Sequence, residues 1–140
     1  MKKIFLLPVL AFSLVALAQP GDAVSIRKVL DEQIKEWNNG NIEGFMQGYW
    51  RNDSLMFIGK SGINWGWQKT LDNYRKNYPD TIAMGKLSYD IILVKELSPE
   101  YYYVVGKWML TRSIGNLGGL YNLLFRKING QWLIIADHSS

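Results

Sequence analysis

The apolar positions of this chain recur mostly every three or four residues before Pro79 and alternate after it. From Ala23 to Asn38, Ile26, Leu30, Ile34 and Trp37 make one stripe, with Asp31, Glu32, Lys35 and Glu36 mostly turned to water. That spacing predicts an amphipathic helix, with Asp22 as its N-cap and Gly40 as its stop. Asn41 is placed to cap a second, shorter helix whose buried positions are Ile42, Phe45, Met46, Tyr49 and Trp50. Residues 54–59 read as a short strand that turns at Gly59–Gly62 into a return at 63–65. A third helix then runs from about Gly66 to Tyr78, with Trp67, Leu71, Tyr74 and Tyr78 on one side and Pro79 beyond its end.

Four strands are predicted after Pro79, at 87–97, 101–113, 120–128 and 131–139, with Gly115–Gly119 as a loop. Asn129-Gly130 suits a two-residue type I′ hairpin turn between the last two. In the final strand, unbroken alternation puts Trp132, Ile134, Ala136 and His138 on one face and Leu133, Ile135 and Asp137 on the other. In the strand before the glycine loop, it groups Val104, Gly106, Trp108, Leu110 and Arg112. Helices first and an antiparallel sheet later is an α+β plan, three helices covering one face of a curved, mainly antiparallel sheet.

The first residues change the domain count. Lys2 and Lys3 precede an apolar run from Ile4 to Leu17, and Ala16-Leu17-Ala18 is the small-x-small pattern that signal peptidase reads. Residues 1–18 are therefore expected to be a cleaved signal peptide, and 19–140 a single exported domain, periplasmic or secreted, with no membrane attachment after cleavage. The net charge of +4 includes Lys2 and Lys3, and the other Lys and Arg are scattered among carboxylates. Nucleic acid is not an expected partner. With no cysteine and one histidine, neither a disulfide nor a zinc or iron site is expected. No cofactor motif is present, because Gly115–Gly119 lies between strands rather than before a helix.

The order of elements resembles the NTF2-like fold, a cone-shaped α+β domain shared by nuclear transport factor 2, ketosteroid isomerase and polyketide cyclases. Residues 65–79 (WGWQKTLDNYRKNYP), 105–112 (VGKWMLTR) and 118–140 are similar to segments of its DUF4440 or SnoaL-like branch. That branch has no common activity. Against ketosteroid isomerase, the tyrosine position falls on Gln33, the base on Ile58 and the second acid on Leu124, so the resemblance does not carry that chemistry over.

Two residues are candidates for chemistry. His138 would share the pocket face with Trp132, where an imidazole can take or give a proton near neutral pH. Arg112 would stand at the pocket end of its strand, able either to hold a ligand carboxylate or enolate or to pair with a carboxylate at the rim. Tyr49, Trp50, Trp65, Tyr74 and Trp108 are the candidate ligand contacts, because a cone rich in aromatics can keep an apolar cavity lined with indole N–H and phenol O–H groups. The expected function is binding of a small apolar or aromatic molecule. An isomerase, cyclase or dehydratase using His138 is the alternative. A homodimer through the outer sheet face (Leu133, Ile135, Tyr103, Met109) is compatible with both.

Overall fold

The structure is a computed structural model that describes residues 21–140; the expected signal peptide lies outside the described residues. Helix α1 spans Asp22–Asn38 and buries Ile26, Leu30 and Trp37 of the expected stripe together with Gln33, while Ile34 is only partly buried. Gly21, not Asp22, is its N-cap. Asp22 instead accepts from Trp132 Nε1 at 3.0 Å and from Lys127 Nζ at 3.2 Å, tying the helix start to the last hairpin. Helix α2 is only Ile42–Phe45, followed by a 3₁₀ turn over Met46–Gly48. The expected continuation to Trp50 fails because Tyr49 is extended and bridges to Ile134 in the sheet.

Strands β1 (Met56–Gly59) and β2 (Gly62–Trp65) form the short hairpin, and α3 runs from Trp67 to Asn77. A further turn of helix, α4 (Thr81–Met84), precedes the sheet; the Asp80 carboxylate accepts from Ala83 N at 2.8 Å as its N-cap. At four residues, α4 is too short to carry a periodic signal.

Strands β3 (Lys86–Ser98), β4 (Tyr101–Thr111), β5 (Leu117–Ile128) and β6 (Gln131–Ser139) make an antiparallel meander. The β5–β6 turn has φ of 50° at Asn129 and 78° at Gly130, as a type I′ turn requires. Sheet order is β2-β1-β6-β5-β4-β3, with β1 parallel to β6 and the other pairs antiparallel. The helices lie on one face. Between them and the sheet, Trp37 meets Phe45, Tyr74 and Tyr78 edge-on at 5.1, 5.8 and 5.0 Å between centroids, an arrangement that the ring quadrupoles favour.

One irregularity decides which side chains face the helices. Leu124 pairs with Ala136 and Phe125 with Ile134, so Ile135 is an extra residue in β6. A one-residue bulge shifts the alternation by one for everything beyond it. Trp132 and Ile134 are buried as the alternation predicts, but after Ile135 the inward residue is Asp137, and His138 is exposed.

Strand β4 keeps its alternation, with Tyr102, Val104, Gly106 and Leu110 buried. Gly106 is where Tyr121 crosses from β5; a Cβ there would collide with the Tyr121 hydroxyl and the Asp90 carbonyl. Gly106→Ala should lower stability by about 1–3 kcal/mol, as overpacking against backbone does. An unchanged midpoint in urea unfolding would show that Tyr121 swings aside without cost.

Candidate functional site

The concave face of the sheet, α1 and α3 enclose a cavity of about 820 Å³. Its walls follow from the strand phases. Residues paired across the sheet share a face, so Phe57, Asp137, Leu123 and Val104 stand in one inward row. Tyr121 and Ser139 stand in the next. The aromatic residues Trp37, Phe45, Tyr49, Tyr74 and Tyr78 close it from the helical side.

Asp137 is the polar centre of these walls. It is 4% exposed and is the one carboxylate lining the cavity. The Tyr49 hydroxyl donates to its Oδ2 at 2.7 Å, and the Ser139 hydroxyl donates to its Oδ1 at 2.7 Å. Burial pushes its pKa up to about 6, while the hydrogen bonds from Tyr49 and Ser139 and the nearby His138 pull the other way. Tyr49 reaches it because the chain after the 3₁₀ turn runs beside β6, held by the Tyr49–Ile134 bridge and by Trp50 N donating to Ile134 O at 2.9 Å.

Phenols surround this carboxyl. Burial pushes the hydroxyls of Tyr49, Tyr74 and Tyr89 well above the usual range, and the charge of Asp137 adds to the push in each. Tyr121 is pushed up to about 12, again mainly by burial. At neutral pH all four stay protonated, so each can donate a hydrogen bond to an oxygen beside it. Among the described residues, the Tyr121 hydroxyl and Trp108 Nε1 are buried without a hydrogen-bond partner, and both residues line the cavity. By contrast, Trp37 Nε1 donates to Met84 O at 3.1 Å and Trp67 Nε1 to Met46 O at 2.9 Å.

The expected contacts divide. Tyr49, Tyr74, Trp108 and Arg112 all line the cavity. Trp50 does not, because its strand-like backbone beside Ile134 carries the side chain elsewhere. Trp65 does not either: it lies on the edge strand β2 and is 55% exposed. His138 is a larger correction. It pairs with Asn122 and Ile58 on the outer sheet face, because the Ile135 bulge inverted the phase that would have brought it in. Asp137, expected to face away from the pocket, takes its place. Ile58 and Leu124, the positions compared with the isomerase base and second acid, also lie in outward rows; their inward neighbours Phe57 and Leu123 cannot titrate.

Arg112 sits at the cavity mouth without a carboxylate. Its Nε donates to Gly115 O at 2.7 Å and its Nη1 to Ala83 O, at the end of α4, at 3.1 Å. The stem lies across Gly85, whose φ of 61° and missing Cβ make room for Arg112 Cγ. No three His, Cys, Asp or Glu side chains among the described residues are grouped as a metal ion would require, and none of the described helices is long and apolar enough to cross a membrane.

Neither a protein-family model nor a curated protein matches this chain. Solved structures do. An NTF-2-like protein of unknown function from Shewanella oneidensis MR-1 is 41% identical, with a TM-score of 0.81 over 84% of this chain and 97% of that one. A ketosteroid isomerase-like protein from Erwinia carotovora atroseptica is 17% identical, with a TM-score of 0.66 over 85% and 95%. A putative calcium/calmodulin-dependent protein kinase II association domain from Xanthomonas campestris is 18% identical, with a TM-score of 0.67 over 86% and 88%. The last two are similar in fold alone. With the first, they make the assignment plain: this chain belongs to the NTF2-like superfamily.

The carboxyl of Asp137 has a consequence for stability. Its native pKa of about 6 stands above the ordinary 3.8, so the folded state holds the proton more tightly than the unfolded chain does. Its contribution is therefore most favourable below about pH 4 and is lost as pH rises through about 6. Asp137→Asn should remove this dependence. Measured by denaturant unfolding, the variant should gain about 2 kcal/mol relative to the parent between pH 4 and pH 7. A constant difference across that range would mean that the carboxyl titrates normally.

Proposed function

We propose that this domain binds a small molecule in its cone, with Asp137 as the polar anchor. One observation carries this reading: a buried, doubly hydrogen-bonded carboxyl faces a cavity of about 820 Å³ whose other walls combine aromatic and aliphatic side chains with polar ones such as Gln33, Asn64 and Asn73. That volume and composition suit a drug-sized ligand. The narrower SnoaL-like, DUF4440 placement is part of the same proposal and is supported by residues 65–79, 105–112 and 118–140. Native mass spectrometry of protein purified gently from its host should reveal an adduct of defined mass that Asp137→Ala weakens. If no adduct appears, and no compound in a panel of aryl and alkyl molecules raises the melting temperature, the reading fails.

A second reading has its own support. A carboxyl with a pKa near 6 beside protonated phenols has the parts for proton transfer at carbon, base and oxyanion donors together. If the bound molecule is a carbon acid, the protein should exchange its acidic hydrogen with D₂O, and Asp137→Asn should stop the exchange while keeping the molecule bound. Exchange at the rate of free solution would leave binding alone.

Export and self-association complete the proposal. Export is supported by Lys2, Lys3, the apolar run and Ala16-Leu17-Ala18. Pairing with a second copy is supported by the outer sheet face, where Met109 is 50% and Leu120 54% exposed and Leu133, Ile135 and Tyr103 are half-buried. Protein isolated from the host should begin at Gln19 and sediment at twice the chain mass. An intact Met1 would count against the first idea, and a monomer at high concentration against the second.

A further inference from the structure

Taking the cone as a binding site, as above, we propose that its ligand is an apolar or aromatic body carrying a carboxylate, which Arg112 holds at the mouth. Among the side chains of the described residues, three cations line the cavity, Lys60, Lys76 and Arg112, against one carboxylate, Asp137. The ion pairs among the described residues are Lys35–Glu32, Arg75–Glu43 and Lys127–Asp22, so none of these three cations is neutralised by a partner. A positive rim around a low-dielectric cavity raises the local concentration of anions.

Arg112 is more than a nearby charge. Its guanidinium is fixed by the Gly115 and Ala83 carbonyls, and its stem is seated across Gly85. Carbonyl acceptors orient a cation without cancelling its charge. The N–H groups of Nη2 have no acceptor among the described residues, and a planar fork held in place this way matches the planar oxygens of a carboxylate.

The walls add a second, independent indication. Trp108 Nε1 can only donate, and the Tyr121 hydroxyl keeps its proton at neutral pH; both atoms are buried and lack partners among the described residues, and the two residues that carry them line the cavity. A ligand that completes them must bring acceptor oxygens or nitrogens. Leu87, Leu110, Leu117 and Leu123 line the cavity as well and call for an apolar body. Asp137 repels a second carboxylate, so the ligand's anionic end should point toward the mouth.

Two probes that share one ring separate charge from shape: naphthalene-1-acetate and its neutral isostere naphthalene-1-acetamide, titrated calorimetrically. The acetate should bind about tenfold or more tightly, the scale of one charge-assisted contact. Arg112→Gln should abolish most of the acetate's preference over the amide. Added sodium chloride should weaken the acetate alone in the unmodified protein, a readout that needs no variant to fold. If both probes bind equally, or if the preference ignores both salt and Arg112, the carboxylate inference falls while the cone remains a binding site. If neither probe binds, the carboxylate inference falls, while the binding reading is decided by the adduct and the melting-temperature panel.

Discussion

One extra residue in β6 sets the chemistry of the cone. Without Ile135, the row that holds Phe57, Leu123 and Val104 would present a different side chain from β6, and Asp137 would face outward. The bulge is held from both sides. Tyr49 bridges to Ile134 before it, and β1 pairs with Ala136, Asp137 and His138 after it. The same stretch, Tyr49 to Gly59, thus fixes the backbone at the bulge and delivers the phenol that hydrogen-bonds the carboxyl it turned inward. Two donors at 2.7 Å offset part of what it costs to remove that carboxyl from water; the rest appears as its raised pKa.

The aromatic residues divide into those that fill and those that line. Trp37, Trp67 and Trp132 place their N–H groups on Met84 O, Met46 O and Asp22, and so act as closed parts of the core. Tyr74 touches Trp37, Phe45, Phe57 and Tyr78, which fixes the helical wall at edge-to-face or stacked distances. Trp108 and Tyr121 are held as firmly by the sheet but keep donors unused. A rigid aromatic wall of this kind lets a hollow persist where flexible side chains would collapse into it.

Most of the fold was legible because its signals were long. The stripe Ile26, Leu30, Trp37, the Asn129-Gly130 turn and the alternation of Val104 to Leu110 are strong enough to be read and stand as expected, although Gln33 is buried more deeply than Ile34. On the same strand phase, Arg112 is among the residues that line the cavity. The site was half legible. Tyr74 and Trp108 follow from periodicity, whereas Tyr49 reaches the cavity from extended backbone and not from the expected helix; the bulge at Ile135 leaves no mark in composition, so simple alternation points to His138 rather than Asp137. Trp65 and Trp50 were misassigned for a different reason: their positions depend on long-range pairing, Trp65 on an edge strand and Trp50 beside β6. Lys60 and Lys76 carry no local sign that they rim a cavity.

The sheet order gives β6 a role in assembly as well as in the site. It lies between β1 and β5, so the β1–β2 hairpin joins the sheet only through the sixth strand in chain order. Until β6 arrives, β1 has no neighbour but β2, and a two-stranded hairpin alone is marginal in water. Closure of the cone, the inward turn of Asp137 and its capture by Tyr49 therefore all depend on β6 taking its place between β1 and β5.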